Sequence, residues 1–146
     1  MNIAVSACLL GKACRFDGEA RPCDAVIALA SEHTLVPICP ESLGRLPIPR
    51  LPNEIVASEP TLHVVDSSGA DNTAAFVAGA RKALRRAQES GCELAILKAK
   101  SPSCGSGRIY DGTFTGTLTD GWGVAAQMFH DAGIRVIDET QVTAVF

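Results

Sequence analysis

The 146-residue sequence contains no long apolar run and no excess of positive charge. It has no uninterrupted stretch of about 18 apolar residues, so it predicts no membrane span. The first residues carry no basic segment, and we expect neither a signal nor a transit peptide. Thirteen Lys and Arg against sixteen Asp and Glu give a formal net charge of -3, which is not the basic footprint that binds DNA or an anionic membrane. These features predict a cytoplasmic protein whose partners are small molecules or proteins.

The cysteine spacings typical of zinc sites and of redox dithiols are also missing. No C-x₂₋₄-C pair occurs, and His33, His63 and His130 lie in unrelated positions, which argues against a structural zinc site. The C-x-x-C spacing of redox motifs is absent as well. Yet the chain has six cysteines, and its length buries enough surface to fold without disulfides. In a cytosolic chain, clustered cysteines more often bind metal or perform chemistry.

The composition predicts one compact domain spanning residues 1–146. Hydrophobic residues make up 47% of the chain and charged residues 20%, which suits a buried core and excludes a disordered chain. The length fits a single domain, and the sequence shows no internal repeat and no linker.

Short apolar runs predict strands, and helically spaced apolar residues predict helices between them. The predicted strands are Ile3 to Ala7, Leu35 to Ile38, Thr61 to Val65, Leu94 to Leu97 and Ile134 to Ile137. The predicted helices are Pro22 to Glu32, Asp71 to Ser90 followed by Gly91, and Gly123 to Ala132. Pro37 places its strand at a sheet edge or strand end, and the proline-rich stretch from Cys39 to Glu59 is predicted to be irregular. The alternation predicts an α/β fold, a single-domain Rossmann-like three-layer sandwich with a mostly parallel sheet.

Several cysteines follow predicted strands, where the ligand crevice of a parallel sheet lies. Cys8, Cys39 and Cys104 each come after a predicted strand, and Cys14 lies in the same loop as Cys8. We therefore expect these thiols to meet at one edge of the sheet. The other two, Cys23 and Cys92, are predicted to be buried structural residues.

Three kinds of chemistry fit such a group of thiols. An iron–sulfur cluster accepts cysteines of varied spacing from separate loops, and three ligands leave one iron open to a substrate. A cysteine-dependent phosphatase is an alternative, because the segment from Cys8 to Arg15 resembles the phosphate loop of low-molecular-weight tyrosine phosphatases. Six residues separate that Cys and Arg, however, one more than such a loop holds. A non-catalytic iron–sulfur or sulfide carrier is the third possibility.

Ordered motifs along the chain resemble the TudS-like family of thiouracil desulfidases. The match extends from Val5 to about Gly133, and the family's usual Gly-Gly after Cys-Pro-Glu is Gly44-Arg45 here. The matching segments are Val5 to Gly11, Cys14 to Gly18, Cys39-Pro40-Glu41, Pro49 to Pro52, Glu54-Ile55, Lys98, Ser101 to Gly105, Ile109 to Gly112 and Gly121 to Val124.

This resemblance implies a non-redox enzyme with a [4Fe-4S] cluster held by Cys8, Cys14 and Cys104. It also implies that Glu41 and Ser101 assist proton transfer as a thiolated pyrimidine and water become uracil and hydrogen sulfide at an open iron. The released sulfide then dissociates or passes to an acceptor. If one of these three ligand assignments is wrong, Cys39 is the residue expected to take its place.

Three further motif features, two single residues and one turn, are given predicted roles. Arg50 either orients the substrate or braces the proline-rich segment. The Tyr110-Asp111-Gly112 turn is predicted to lie over the cluster as a lid. Trp122 either stacks on a pyrimidine or packs in the core.

Overall fold

The computed structural model describes residues 1–58 and 61–146. The strands are β1 (Asn2–Ser6), β2 (Thr34–Ile38), β3 (Asn53–Ser58), β4 (Thr61–Asp66), β5 (Leu94–Leu97), β6 (Ser106–Tyr110), β7 (Leu118–Trp122) and β8 (Arg135–Asp138). The α-helices are α1 (Asp24–Ile27), α2 (Pro40–Leu43), α3 (Thr73–Glu89), α4 (Val124–Asp131) and α5 (Val142–Val145).

A parallel sheet forms the centre of the fold, with the strand order β2-β1-β5-β8. The predicted α/β class and the mostly parallel sheet are therefore confirmed. Strand β2 lies at one edge of the sheet, as Pro37 predicts. Proline has no N–H group to donate, and an edge strand forms hydrogen bonds with a neighbour on one side alone, so proline is tolerated there. The sheet order reverses at β1, which has β2 on one side and β5 on the other.

Alternating side chains on the strands bury both faces of this sheet. On β1, Ile3 and Val5 pack in one cluster with Val26 of α1 and Val142 of α5. Ala4 points to the opposite face, where it packs in a cluster with residues of α3 and α4. Helices thus cover both faces, which gives the three layers that the sequence predicts.

Helix α3 is the longest helix in residues 1–58 and 61–146. Its buried stripe includes Phe76, Ala80 and Ala87, and it ends before Gly91, whose φ of 69° suits the residue that follows a helix. Both features match the predicted helix. None of the helices in the described part of the chain has the length and apolar composition of a membrane span.

The segment predicted to be irregular, Cys39 to Glu59, contains regular structure, so that prediction is wrong for its described part. Pro40 occupies the first turn of α2, where its fixed φ favours a helix. Strand β3 pairs antiparallel with β4, so the strand predicted at Thr61 to Val65 belongs to a hairpin outside the central sheet. The density of prolines before β3 conceals this strand in the sequence. Glu59 lies outside the described residues.

A second hairpin, β6–β7, carries the loop that contains Gly112, Phe114 and Gly116. All three residues have positive φ. A cluster that includes Ile55 of β3 and Ile109 of β6 joins the two hairpins to Phe76 of α3.

Helices α2 and α3 approach each other so closely that glycine is required at their contact. A Cβ atom at Gly79 of α3 would lie 1.8 Å from the carbonyl oxygen of Pro40, and one at Gly44 would lie 2.2 Å from that of Ala75. Arg45, where the resembling family has its second glycine, adopts a φ of 65°. The loop after α2 therefore takes a glycine-type conformation with arginine at this position.

Candidate active site

Four cysteine thiols line one small cavity beyond the carboxyl ends of the central strands. Cys8 follows β1, Cys39 follows β2, Cys104 lies in the loop after β5, and Cys14 shares the loop of Cys8. The cavity has a volume of about 50 Å³. The structure thus brings together the four thiols that the strand ends predict.

The two remaining cysteines lie outside this cavity and pack in the hydrophobic clusters. Cys92 is buried with residues of α3 and α4, and Cys23 is partly buried against the cluster on the opposite face of the sheet. These positions agree with the structural role predicted for both.

Burial and mutual contact raise the pKa values of three cavity thiols, Cys14, Cys39 and Cys104, and so favour their neutral form. Burial raises the pKa of Cys104 to about 12. The contact with Cys39 lowers the pKa of Cys14, but the contact with Cys8 and burial outweigh it, so the net shift is upward. The contact with Cys14 and burial also raise the pKa of Cys39. Thiolates therefore form here when a bound metal supplies positive charge.

The donor set of this cavity suits an iron–sulfur cluster better than a single metal ion. In residues 1–58 and 61–146, no three His, Cys, Asp or Glu side chains converge closely enough to hold one ion. The thiolates of a cluster bind different irons and so stand farther apart. Soft sulfur donors from separate loops, around a cavity also lined by hydroxyls and Ile38, match this type of cofactor.

A larger cleft of about 610 Å³ adjoins the thiol cavity. Glu41, Lys98 and Ser101 line both spaces. Phe16 and Phe114 contribute aromatic walls to the cleft. A flat molecule held in the cleft therefore lies beside the three polar side chains that also face the thiols.

Arg50 and Ser103 fix the carboxylate of Glu41. The Nε and Nη2 atoms of Arg50 donate hydrogen bonds to Glu41 Oε1 at 3.2 and 3.1 Å, and Ser103 Oγ donates to Oε2 at 3.0 Å. Arg50 also donates to the carbonyl oxygens of Cys14 and Pro47. Of the two roles predicted for Arg50, these contacts support the bracing role.

The Ser101 hydroxyl caps the turn that carries Cys104. Its Oγ accepts hydrogen bonds from the backbone N–H groups of Ser103 and Cys104, both at 3.1 Å. It also lies 2.9 Å from the Oγ of Ser103. The side chain of Ser101 is thereby fixed at the boundary between cavity and cleft.

The first turn of α4 anchors the same loop. The N–H of Val124 donates to the carbonyl oxygen of Pro102, and that of Ala125 donates to the carbonyl oxygen of Ser103. A Cβ atom at Gly123 would lie 2.6 Å from the backbone of Ser103. Glycine at position 123 thus permits the contact that holds the Cys104 loop in place.

Lys98 is held by an acidic residue from the end of the central sheet. Its Nζ lies 3.1 Å from Glu139 Oε2, and Glu139 Oε1 accepts the N–H of Ala99 at 2.7 Å. Glu139 follows β8, far along the sequence from the motifs, and no sequence signal indicates this contact. Lys98 places a positive charge at the boundary between cleft and thiols.

Glu54 attaches the β6–β7 loop to the cleft. Its buried carboxylate accepts the backbone N–H groups of Gly112 and Phe114 at 3.0 and 3.2 Å. Tyr110 and Phe114 both line the cleft, so the predicted turn lies at the cleft wall. Trp122 lines a different cavity, where its ring contacts His130, so its contacts support the packing role.

The loop from Cys8 to Arg15 does not present its backbone as a phosphate cradle. The N–H groups of Gly11, Lys12, Cys14 and Arg15 donate to backbone carbonyl oxygens within residues 7–19. A phosphate loop needs such groups to converge on the anion. This hydrogen bonding favours the iron–sulfur interpretation over the phosphatase alternative.

Comparison with known proteins agrees with this geometry. A family model described as 2-thiouracil desulfurase matches residues 3–141. The uncharacterized protein YbbK of Bacillus subtilis (strain 168) is 40% identical in an alignment of 149 positions, which covers 98% of this chain and 99% of that protein. A solved structure of the [4Fe-4S]-dependent thiouracil desulfidase TudS is 43% identical, with a TM-score of 0.89 over 98% of this chain and 93% of the other.

Proposed function

The chain belongs to the 2-thiouracil desulfurase family, and from this membership we propose that it is a [4Fe-4S]-dependent desulfidase of thiolated pyrimidines. In this reaction, thiouracil and water give uracil and hydrogen sulfide without net electron transfer. The solved relative is named as an enzyme with this cofactor and this substrate.

One observation of this structure carries the proposal. The thiol cavity and the larger cleft share Glu41, Lys98 and Ser101 as wall residues. A pyrimidine in the cleft can therefore direct its exocyclic sulfur toward the thiols while its ring stays in the larger space. A cavity separated from any cleft would instead suit a carrier.

Cys8, Cys14 and Cys104 are the proposed ligands of the cluster. Three ligands leave one iron without a cysteine, and when bound this iron supplies a Lewis acid that polarises the C=S bond. Cys39 lines the same cavity but directly precedes α2, the helix that carries Glu41. We assign it to the cavity wall.

The cleft binds and orients the substrate through groups of this chain. Phe16 and Phe114 offer apolar aromatic surfaces to a flat ring. The ammonium group of Lys98, held by Glu139, faces the boundary where negative charge develops as water adds to the ring carbon. Lys98 thereby stabilises that charge.

Glu41 and Ser101 move the protons. Glu41, oriented by Arg50, accepts a proton from the attacking water, and Ser101 donates its hydroxyl proton to the sulfur. The C–O bond forms, the C–S bond breaks, and the second proton of the water passes to the departing hydrosulfide as the carbonyl forms, while the proton held by Glu41 restores the Ser101 hydroxyl. Water and the thiocarbonyl thus give a carbonyl and hydrogen sulfide.

An anaerobic reconstitution tests this function. The protein is loaded with iron and sulfide and incubated with 2-thiouracil without a reductant, and uracil and sulfide are quantified. We expect about four irons per chain, as the cluster type requires, and equal amounts of the two products. A protein that forms no cluster overturns the proposal. A stable cluster with no turnover of any thiolated base identifies a carrier instead.

A further inference from the structure

Ser103 connects the two groups that move protons in the proposed reaction. Its side chain is 1% exposed, and its Oγ lies 2.9 Å from Ser101 Oγ and 3.0 Å from Glu41 Oε2. We propose that Ser103 is a positioning residue that relays a proton between Glu41 and Ser101, so that the two act as one unit. This inference rests on the proposed function.

Counting donors and lone pairs gives the direction of the hydrogen bonds that join Ser101, Ser103 and Glu41. A serine hydroxyl has one proton and two lone pairs. Ser101 Oγ accepts the N–H groups of Ser103 and Cys104, so its lone pairs are used and its own proton points to Ser103 Oγ. The proton of Ser103 then points to Glu41 Oε2. Without substrate the hydrogen bonds therefore run from Ser101 through Ser103 to Glu41, and the Ser101 proton turns to the sulfur when the substrate binds.

The relay restores the starting protonation states of Glu41 and Ser101 after each of them has transferred one proton. When Glu41 has taken a proton from water and Ser101 has given one to the sulfur, one group holds an extra proton and the other lacks one. Ser103 then turns its hydroxyl toward Ser101, accepts the proton of Glu41 and gives its own proton to Ser101. The net result is that one water proton reaches the sulfur, and no electron moves.

The surroundings of Ser101 support this step. The two backbone N–H groups that point at its Oγ stabilise the negative charge that remains when the hydroxyl loses its proton. Glu41 is fixed on its other oxygen by Arg50. Both ends of the relay are thus held, and the serine between them is sealed from solvent.

Ser103 also contacts a proposed cluster ligand, and this contact needs a control. Its Oγ lies 3.7 Å from Cys104 Sγ. Ser6 Oγ lies closer to the same sulfur, at 3.2 Å, and belongs to the last residue of β1. Ser6→Ala therefore removes a hydroxyl from Cys104 without changing Ser101, Ser103 or Glu41, and it also removes the acceptor of the Lys98 N–H group.

The test compares Ser103→Ala, Ser103→Thr, Ser101→Ala and the double Ser101→Ala/Ser103→Ala enzyme after reconstitution. We expect Ser103→Ala to keep its iron and its KM and to lose kcat by about 100-fold, in the range of general acid–base effects. The double variant is expected to be no slower than the slower single variant, because both changes break one unit. Ser103→Thr keeps the hydroxyl and should restore most of kcat, whereas the iron content of Ser6→Ala shows what the loss of a hydroxyl beside Cys104 does to the cluster.

Two results would overturn the relay in an active wild-type enzyme. One is an unchanged kcat in iron-replete Ser103→Ala. The other is multiplied losses in the double variant, since independent residues act additively in free energy. A wild-type protein that holds a cluster but does not release sulfide overturns the proposed function itself, and with it the relay. Iron content and melting temperature, measured before any assay, separate these results from misfolding.

Discussion

Two cavities of similar size lie on this protein, and their walls differ in chemistry. The cleft of about 610 Å³ is lined by Glu41, Lys98 and Ser101 and adjoins the thiols. A second cavity, which we call the apolar groove, measures about 480 Å³ and has walls that include Leu62, Trp122 and Met128. Converging polar groups, rather than volume, therefore distinguish the candidate site.

The difference follows from where each cavity lies in the fold. The cleft adjoins the point where the sheet order reverses at β1, and loops after parallel strands bring polar residues together there. The apolar groove lies between the β3–β4 and β6–β7 hairpins and α4, whose facing side chains are largely apolar. Substitutions on the cleft side should therefore affect activity, and matched substitutions elsewhere should not.

The largest expected effect separates the cavity thiols from the packed ones. Cys104→Ser should abolish cluster retention and activity, because the hydroxyl is a poor ligand for iron. Cys92→Ser alters a buried position outside the cavity and should keep both. Iron content and absorbance after reconstitution measure this. Equal iron in the two variants would contradict the proposed ligand set.

Loss of the carboxylate should be the next largest effect. Glu41→Gln keeps the shape of the side chain and should lower kcat by about 10²–10⁴-fold with the iron retained. Gln127→Ala, which changes an exposed wall residue of the apolar groove, serves as the matched control and should leave kcat unchanged. Steady-state release of sulfide is the measurement. A loss of less than tenfold in Glu41→Gln would show that the carboxylate is not the base.

Two ion pairs between an arginine and a carboxylate extend the comparison of the two cavities to protein stability. The Arg50–Glu41 pair has side chains 5% and 16% exposed, so Arg50→Gln leaves a buried carboxylate unpaired and should cost about 3–5 kcal/mol of unfolding free energy. Arg108 pairs with Asp120 at the apolar groove, with side chains 58% and 92% exposed. Arg108→Gln should cost at most about 1 kcal/mol. Urea unfolding measures both, and similar costs would refute the distinction.

The smallest effect concerns the contact that positions α2. Gly79→Ala places a Cβ against the backbone of Pro40 and should cost about 1–3 kcal/mol. It should also lower kcat, since α2 carries Glu41. Ala78→Gly, at the exposed neighbouring position of α3, should cost about 1 kcal/mol through helix propensity alone and keep kcat. Unfolding and turnover measured on the same samples check this, and a normal kcat in Gly79→Ala would show that α2 tolerates the shift.

The central sheet could be predicted because buried parallel strands are continuous apolar runs. Leu94 to Leu97 is buried at all four positions, and its predicted bounds match the structure. Strand β3 begins with Asn53 and Glu54 and follows several prolines, so neither its pattern nor its flanks indicate a strand. Hairpin pairing with β4, a tertiary contact, decides its conformation.

The cavity thiols could also be predicted, because strand ends meet at one edge. The network around them could not. Ser101 and Ser103 are two residues apart, and only the turn between them shows which hydroxyl faces the cleft and which is buried. Glu139 reaches Lys98 from the end of the neighbouring strand β8, and no local pattern indicates such a contact. The roles of the site residues stay predictions until the variants are measured.

The contact between Lys98 and Glu139 also bears on the order in which this enzyme is made. The site draws on the loop after the first strand, on the loop after β5 and on the residue that follows β8. During synthesis, the first cysteines leave the ribosome long before Glu139 is added. The ion pair between Lys98 and Glu139 therefore forms after all four cavity thiols are already on the chain.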